Sequence, residues 1–443
     1  MQRAIVSLIL GIISYAPRAV NAAEPDVPTE LADYVSKKDD AFAWKQKGKI
    51  ETNLGTVYDL QMTSQKWQGA NWEHAIQVFV PKGAKPRATM MIYNTGGGPN
   101  PATSLLGLAV AGKIGAPIAF VFNIPNQPIF NKKEDALIAE TLCKYLETKD
   151  ASWPLLFPMA KSIVRGMDAL QAFAKAEWDM PIKDFIITGA SKRGWTSWMT
   201  AASGDKRVKA IAPMVIDTLN MTAQMPNQLK SFGSYSTMIH DYTERGLVKE
   251  NPNPLEAKLW RMIDPWTYRA NLKLPKLIIN GTNDPYWTLD ALNLYWDDLV
   301  GDKWVLYVPN AGHGLDQDHG NGAKDREHAL NTLAAFARHI IDDKPFPTPT
   351  WKHLDEDGVA VLKLDGGKDV KKISIWQADA DTRDFRKSKW KEQTVKLEGT
   401  AGKLPLTAPE RGCRATFADF EYQIGELTFT LSSQVRILEA KAK

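Results

Sequence analysis

Phe185-Ile186-Ile187-Thr188-Gly189-Ala190-Ser191-Lys192-Arg193-Gly194-Trp195 is the stretch on which the reading turns. An apolar run suited to a buried strand ends in two small residues and a serine, and a helix is expected to begin at Lys192. This is the layout of a nucleophile elbow. The serine sits on a tight turn, and small neighbours let strand and helix approach. The helix N-terminus also aims backbone N–H groups at a developing oxyanion. The G-x-S-x-G pattern is not met, because Arg193 stands where glycine is expected and glycine follows at 194. A serine N-cap on an ordinary helix is the competing account of the same residues.

Downstream residues favour the elbow. Leu277-Ile278-Ile279-Asn280-Gly281-Thr282-Asn283-Asp284-Pro285 places an acid in a turn just past a buried run. Trp304 to Val308 is the next such run, and Gly312-His313-Gly314 follows it. Serine, acid and histidine thus come in order, each beyond the C-terminal end of a strand, where open α/β sheets carry their sites. Ser191, Asp284 and His313 are the expected catalytic triad. Asn94-Thr95-Gly96-Gly97-Gly98 follows an earlier strand, and Gly96 and Gly97 with the Lys192 N–H are the expected oxyanion hole. No G-x-x-x-x-G-K-[ST] pattern supports a phosphate loop instead. Arg193, Trp195, Asp217 and Trp287 are the expected substrate-binding residues. Lys192 and Arg193 either attract a carboxylate-bearing substrate or else solvate a helix end or pair with Asp217. His319, among Asp316 and Asp318, is a rival base, but the spacing fits no metal site and a solvated acidic loop is the reading preferred. No metal and no cofactor is expected.

Outward from the elbow, short apolar runs at 88–93, 118–122, 208–216, 276–279 and 304–308 alternate with helical patterns at 159–177 and 323–341. Two alternating runs, 57–62 and 74–80, precede them and read as a hairpin. An antiparallel start and a parallel remainder covered by helices suit an α/β-hydrolase order. Residues 219–271 form a long insertion rich in Met, Tyr, Trp and Pro, expected to be a partly helical cap. Pro345-Phe346-Pro347-Thr348-Pro349 marks a boundary, after which short alternating runs suggest a C-terminal β-sandwich. The expected division is a signal peptide at 1–22, a hydrolase domain at 23–345 and the sandwich at 351–443.

The ends and the composition narrow the class. Gln2-Arg3, the apolar stretch 4–15 and Val20-Asn21-Ala22 read as an export signal, too short to span a bilayer, so a periplasmic or secreted protein without a stable membrane anchor is expected. The 443 residues carry 55 basic and 51 acidic side chains, net +4, too balanced to suggest nucleic acid. Cys143 and Cys413 are the two cysteines; an exported chain can join them, and two buried thiols are the other reading.

Gly189 to Trp195, Pro213 to Met221, Asn280 to Asp284, Pro309 to His313 and Phe429 to Arg436 together resemble the PhoPQ-activated pathogenicity-related protein family. G-A-S-K-R-G-W is specific to that family, so Arg193 is a family trait. The resemblance covers nearly the whole chain after the export signal. It implies an exported α/β-hydrolase-like protein with a C-terminal β domain, linked in bacteria to two-component regulation and antimicrobial-peptide resistance; relatives in amoebae resemble secreted proliferation repressors. A weaker similarity to glucuronoyl esterases lies in the basic residues after the nucleophile. The expected function is therefore a serine hydrolase acting on peptide or ester bonds of a small-molecule or peptide substrate. A secreted binding or signalling protein that keeps the fold without catalysis is the alternative.

Overall fold

The computed structural model describes residues 26–395 and 399–441. The expected export signal at 1–22 lies outside the described residues. Nine strands form the main sheet: β1 (Ala43–Thr52), β2 (Gly55–Trp67), β3 (Ala70–Pro81), β4 (Thr89–Asn94), β5 (Ile118–Val121), β6 (Asp184–Ala190), β7 (Val208–Met214), β8 (Lys276–Gly281) and β9 (Lys303–Val308). Their spatial order is β1-β2-β3-β5-β4-β6-β7-β8-β9. The first three strands are antiparallel, and all pairs from β5/β4 to β8/β9 are parallel. This is the α/β-hydrolase fold. β4 to β8 are buried almost without interruption, as a parallel sheet covered on both faces requires.

The helices are α1 (Glu30–Ser36), α2 (Pro101–Ile114), α3 (Glu134–Thr148), α4 (Leu156–Trp178), α5 (Lys192–Ala202), α6 (Met221–Phe232), α7 (His240–Thr243), α8 (Pro254–Ile263) and α9 (Glu327–Ile341). α4 packs against α1 and α5, and α2 against α9. Two apolar cores result: one contains Phe173, Trp198 and Ile187, the other Phe120, Phe336 and Leu306. Between β7 and β8 run α6, α7 and α8, with 3₁₀ turns at Thr237–Ile239 and Pro265–Asn271.

α1 and β1 form in the polar, charged stretch that precedes the hairpin, where the sequence carries no strand or helix signal. β1 is exposed along most of its length and carries lysines at 45, 47 and 49, so no alternation announced it; such charged edges resist pairing with other chains. Helix α9 begins at Glu327, later than the expected 323, because β10 (Gln317–Asp318) and β11 (Lys324–Asp325) pair first.

From Thr350 on, the regular elements among the described residues are all strands. β12 (Thr350–Glu356), β13 (Val359–Asp365) and β16 (Ala401–Leu406) make one antiparallel sheet. β14 (Lys372–Ala380), β15 (Lys391–Thr394), β17 (Cys413–Ile424), β18 (Leu427–Ser432) and β19 (Arg436–Glu439) make the other. Leu362, Leu364, Ile373, Ile375 and Phe420 share one core. This part grips the main sheet beside the site. Asn283 donates to the carbonyls of Phe385 and Ser388, and the Trp390 N–H donates to Asn310 Oδ1 at 2.7 Å.

Candidate active site

Ser191 follows β6 with φ 59° and ψ −126°, a conformation an ordinary N-cap does not take. Its N–H is held by the carbonyl of Met214 on β7, and its carbonyl starts α5 by accepting from Trp195. The turn is tight because residues on both sides lack bulk. A Cβ on Gly194 would fall 2.6 Å from Ile216 Cγ2 and 2.9 Å from the Met214 carbonyl. Glycine at 194 therefore lets α5 lie against β7. Arg193 fits because its side chain leaves the turn: Nε donates to the Ile124 carbonyl, and Nη1 and Nη2 bond both oxygens of Glu134 at 2.6 and 2.7 Å.

The structure brings the three expected side chains together. Ser191 Oγ lies 2.8 Å from His313 Nε2, and His313 Nδ1 lies 2.8 Å from Asp284 Oδ2. The carboxylate at Nδ1 selects the tautomer in which Nδ1–H donates and Nε2 accepts the serine proton. Asp284 is buried, and its other oxygen accepts from the Tyr286 N–H at 2.8 Å. The Tyr286 ring stacks on His313 at 4.2 Å and 29°. One short turn thus supplies the acid, its backbone donor and a plate against the imidazole.

The expected binding residues divide. Trp195 and Trp287 line the pocket at Ser191 and His313, together with Lys192, Asp135, Thr218 and Tyr286. Neither Arg193 nor Asp217 is among the lining residues. Arg193 is engaged by Glu134, whose carboxyl burial pushes up but the guanidinium pulls down to about 2. Asp217 is fully enclosed beside Asn280 and Tyr295, both of which donate to it. Burial pushes its pKa up to about 6 against those two bonds, with Asp284 adding to the rise. The expected pairing of a basic residue with Asp217 is replaced by another. Lys192 Nζ sits 2.7 Å from Asp135 Oδ2, which also holds the Tyr242 hydroxyl through its other oxygen. Burial works against the Lys192 charge, but Asp135, Tyr286 and Glu134 outweigh it and hold its pKa above the ordinary lysine value.

Lys192 is the first residue of α5, so its N–H belongs to the unpaired first turn beside Ser191. The space a Gly96 side chain would need is taken by Arg193: its Cβ would fall 1.7 Å from Nη2. A Cβ on Gly97 would meet nothing within 4 Å. His319 is exposed and pairs with Asp325 at 2.9 Å, away from the triad. Among the described residues no cluster of His, Cys, Asp or Glu could hold a metal ion, and no helix is long and apolar enough to cross a membrane. Cys143, on α3, and Cys413, on β17, are free thiols.

Sequence reasoning missed Glu134, Asp135 and Tyr286. The signal for the acids was there: an acidic pair, Glu134-Asp135, matches a basic pair, Lys192-Arg193, but nothing in linear spacing joins them. Tyr286 lay two residues past an acid already singled out.

Known proteins bear on this chain as follows. The model of a family described as PhoPQ-activated pathogenicity-related protein matches residues 31–386. Autocrine proliferation repressor protein A of Dictyostelium discoideum is 30% identical over 457 residues, covering 93% of this chain and 90% of that protein. Among solved structures, acetyl xylan esterase from Paenibacillus sp. R4 superposes with a TM-score of 0.45 at 13% identity, over 64% of this chain and 86% of its own. Acylaminoacyl peptidase of Pyrococcus horikoshii superposes with a TM-score of 0.43 at 14% identity, over 70% of this chain and 43% of its own.

Proposed function

This chain belongs to the PhoPQ-activated pathogenicity-related protein family, and from that premise we propose that it is a serine hydrolase cleaving ester or peptide bonds through an acyl-enzyme. The observation that carries the reading is the unbroken series Ser191 Oγ, His313 Nε2, His313 Nδ1, Asp284 Oδ2, with both contacts at 2.8 Å. His313 takes the Ser191 proton as Oγ attacks the substrate carbonyl. Asp284 holds the resulting imidazolium. The Lys192 N–H, with Gly96 and Gly97 as further candidates, receives the oxyanion. Collapse of the tetrahedral species expels the alkoxide or amine, which leaves with the proton from His313. Water, activated by the same imidazole, then releases the acid and restores Ser191.

Export belongs to the same proposal and rests on the basic, apolar and small residues of 1–22. Peptide bonds are kept among the substrates because the family resemblance includes antimicrobial-peptide resistance. A second reading, a secreted signalling protein without catalysis, is favoured by the name of the Dictyostelium relative, a proliferation repressor. One experiment divides them. A fluorophosphonate probe is expected to add its phosphonyl group to Ser191 in the folded protein and to leave Ser191→Ala unlabelled. Folded wild-type protein that the probe does not touch would remove the enzyme reading and leave the signalling one.

A further inference from the structure

The chamber at Ser191 is tight. It holds about 30 Å³ of free space, and its walls are mostly aromatic and aliphatic. Beside it lies a much larger groove of about 610 Å³, formed by α6, the 248–252 segment and α8. The two spaces share three walls, Met221, Val248 and Trp260. Met225, Leu229 and Trp266 extend the apolar surface outward. Met221 is unbranched and flexible, the kind of side chain that adapts to whatever lies against it.

Charge is balanced along this path. Apart from His313, the charged residues of the inner chamber are Lys192 and Asp135, which neutralise each other at 2.7 Å. The groove is lined by two basic and two acidic residues, Lys249, Arg261, Glu250 and Asp264: Lys249 pairs with Glu256, Arg261 donates to the Asp26 carbonyl, and Asp264 is occupied by the backbone N–H groups of Met221 and Trp266. Two polar groups on the residues that line the chamber are left over, the Thr218 hydroxyl and the Trp287 indole N–H. The Thr218 hydroxyl is wholly buried and has no hydrogen-bond partner, a condition that a substrate oxygen or N–H would relieve.

Resting on the hydrolase reading, we infer that the substrate is an ester or amide with a long uncharged apolar arm. Its scissile group sits at Ser191 and its arm runs past Met221, Val248 and Trp260 into the groove between α6 and α8. The inner chamber admits little bulk, so binding energy comes from the arm. Each methylene buried in the groove adds to binding, so even partial burial of six gives a large preference. The neutralised Lys192 and enclosed Arg193 give a carboxylate-bearing substrate no advantage.

The test is a chain-length series with two readouts. Fluorophosphonate labelling of Ser191 is measured first, and then kcat/KM for 4-nitrophenyl acyl esters from acetyl to dodecanoyl and for alkyl acetates of matched length. The expected result is a rise of at least tenfold between two and eight carbons in one of the two series, which also shows on which side of the scissile bond the arm lies. An ω-carboxylate on the eight-carbon arm should cancel that rise. Leu229→Trp and Ala257→Trp, which fill the groove from opposite helices, should each lower the ratio of eight-carbon to two-carbon kcat/KM by about tenfold. Labelled Ser191 with flat profiles in both series overturns this inference and leaves the hydrolase standing. A Ser191 that resists the probe removes the hydrolase reading, and this inference with it.

Discussion

Two neighbouring strands each deliver an aspartate to the same edge of the sheet, with opposite consequences. Past β8, Asp284 sits in a short turn whose Tyr286 N–H occupies one carboxylate oxygen and leaves the other for His313. Past β7, Asp217 is equally buried but is consumed by Asn280 and Tyr295. Burial alone therefore does not bring a carboxylate to the imidazole. What matters is whether a fixed donor set leaves one oxygen facing an imidazole. The two cations after Ser191 teach the same lesson. Arg193 is spent inside the fold on Glu134, while Lys192 stays in the pocket with its charge matched by Asp135.

The largest effect should come from Asp284→Asn. It leaves the turn in place but removes the carboxylate that selects the tautomer, so kcat/KM is expected to fall by about 10³–10⁴-fold. Steady-state hydrolysis on a substrate the wild type accepts measures it, beside a thermal melt showing the variant folded. If Asp217→Asn cost as much, the contrast between the two acids would be wrong.

Asp217→Asn should act mainly on stability, with kcat/KM falling less than about tenfold. The folded pKa of Asp217, about 6, lies above an unfolded aspartate, so the native state holds the proton longer. Its stabilising contribution is full below about pH 4 and is lost as pH rises through about 6. The loss is on the order of 3 kcal/mol. Asp264, which burial also pushes up to about 6 against bonds from Met221, Trp266 and Asn220, declines over the same window. Urea unfolding at pH 4, 5, 6 and 7 should show a shallower decline for Asp217→Asn than for wild type. Parallel curves would mean Asp217 is charged throughout.

Glu134→Gln should have the smallest effect. It removes the carboxylate paired with a nearly buried Arg193, but that carboxylate is 40% exposed and partly screened, so about 1–2 kcal/mol is expected at pH 7. The sign is opposite to that of Asp217. A folded pKa held near 2 gives stability that is present above about pH 4 and lost as pH falls through about 2, so the two proteins should converge in acid. Melts that stay apart down to pH 2 would show that packing, not charge, was lost.

Much of this was legible in linear order, for identifiable reasons. β4 to β9 were visible because a strand buried on both faces is a continuous apolar run, and the elbow because tight turns demand small residues. β1 was invisible because an exposed charged edge has no pattern to detect. β12, β16 and β19 are faint for a related reason: apart from Leu406 they hold no buried residue, so their sequences carry little apolar signal. The residues that tune the site were hidden by distance along the chain. Glu134 and Arg193 are 59 positions apart, and Tyr242 and Asp135 are 107 apart.

By itself the order of residues determined the apolar strands, the small-residue turn around Ser191 and the sequence of serine, acid and histidine past successive strand ends. These are local properties, set by side-chain volume, periodicity and backbone freedom. The tertiary structure alone decided which aspartate meets the imidazole, which cation faces the pocket and where the groove opens. Those outcomes depend on through-space competition for hydrogen bonds and burial among residues that only the folded sheet brings within 3 Å.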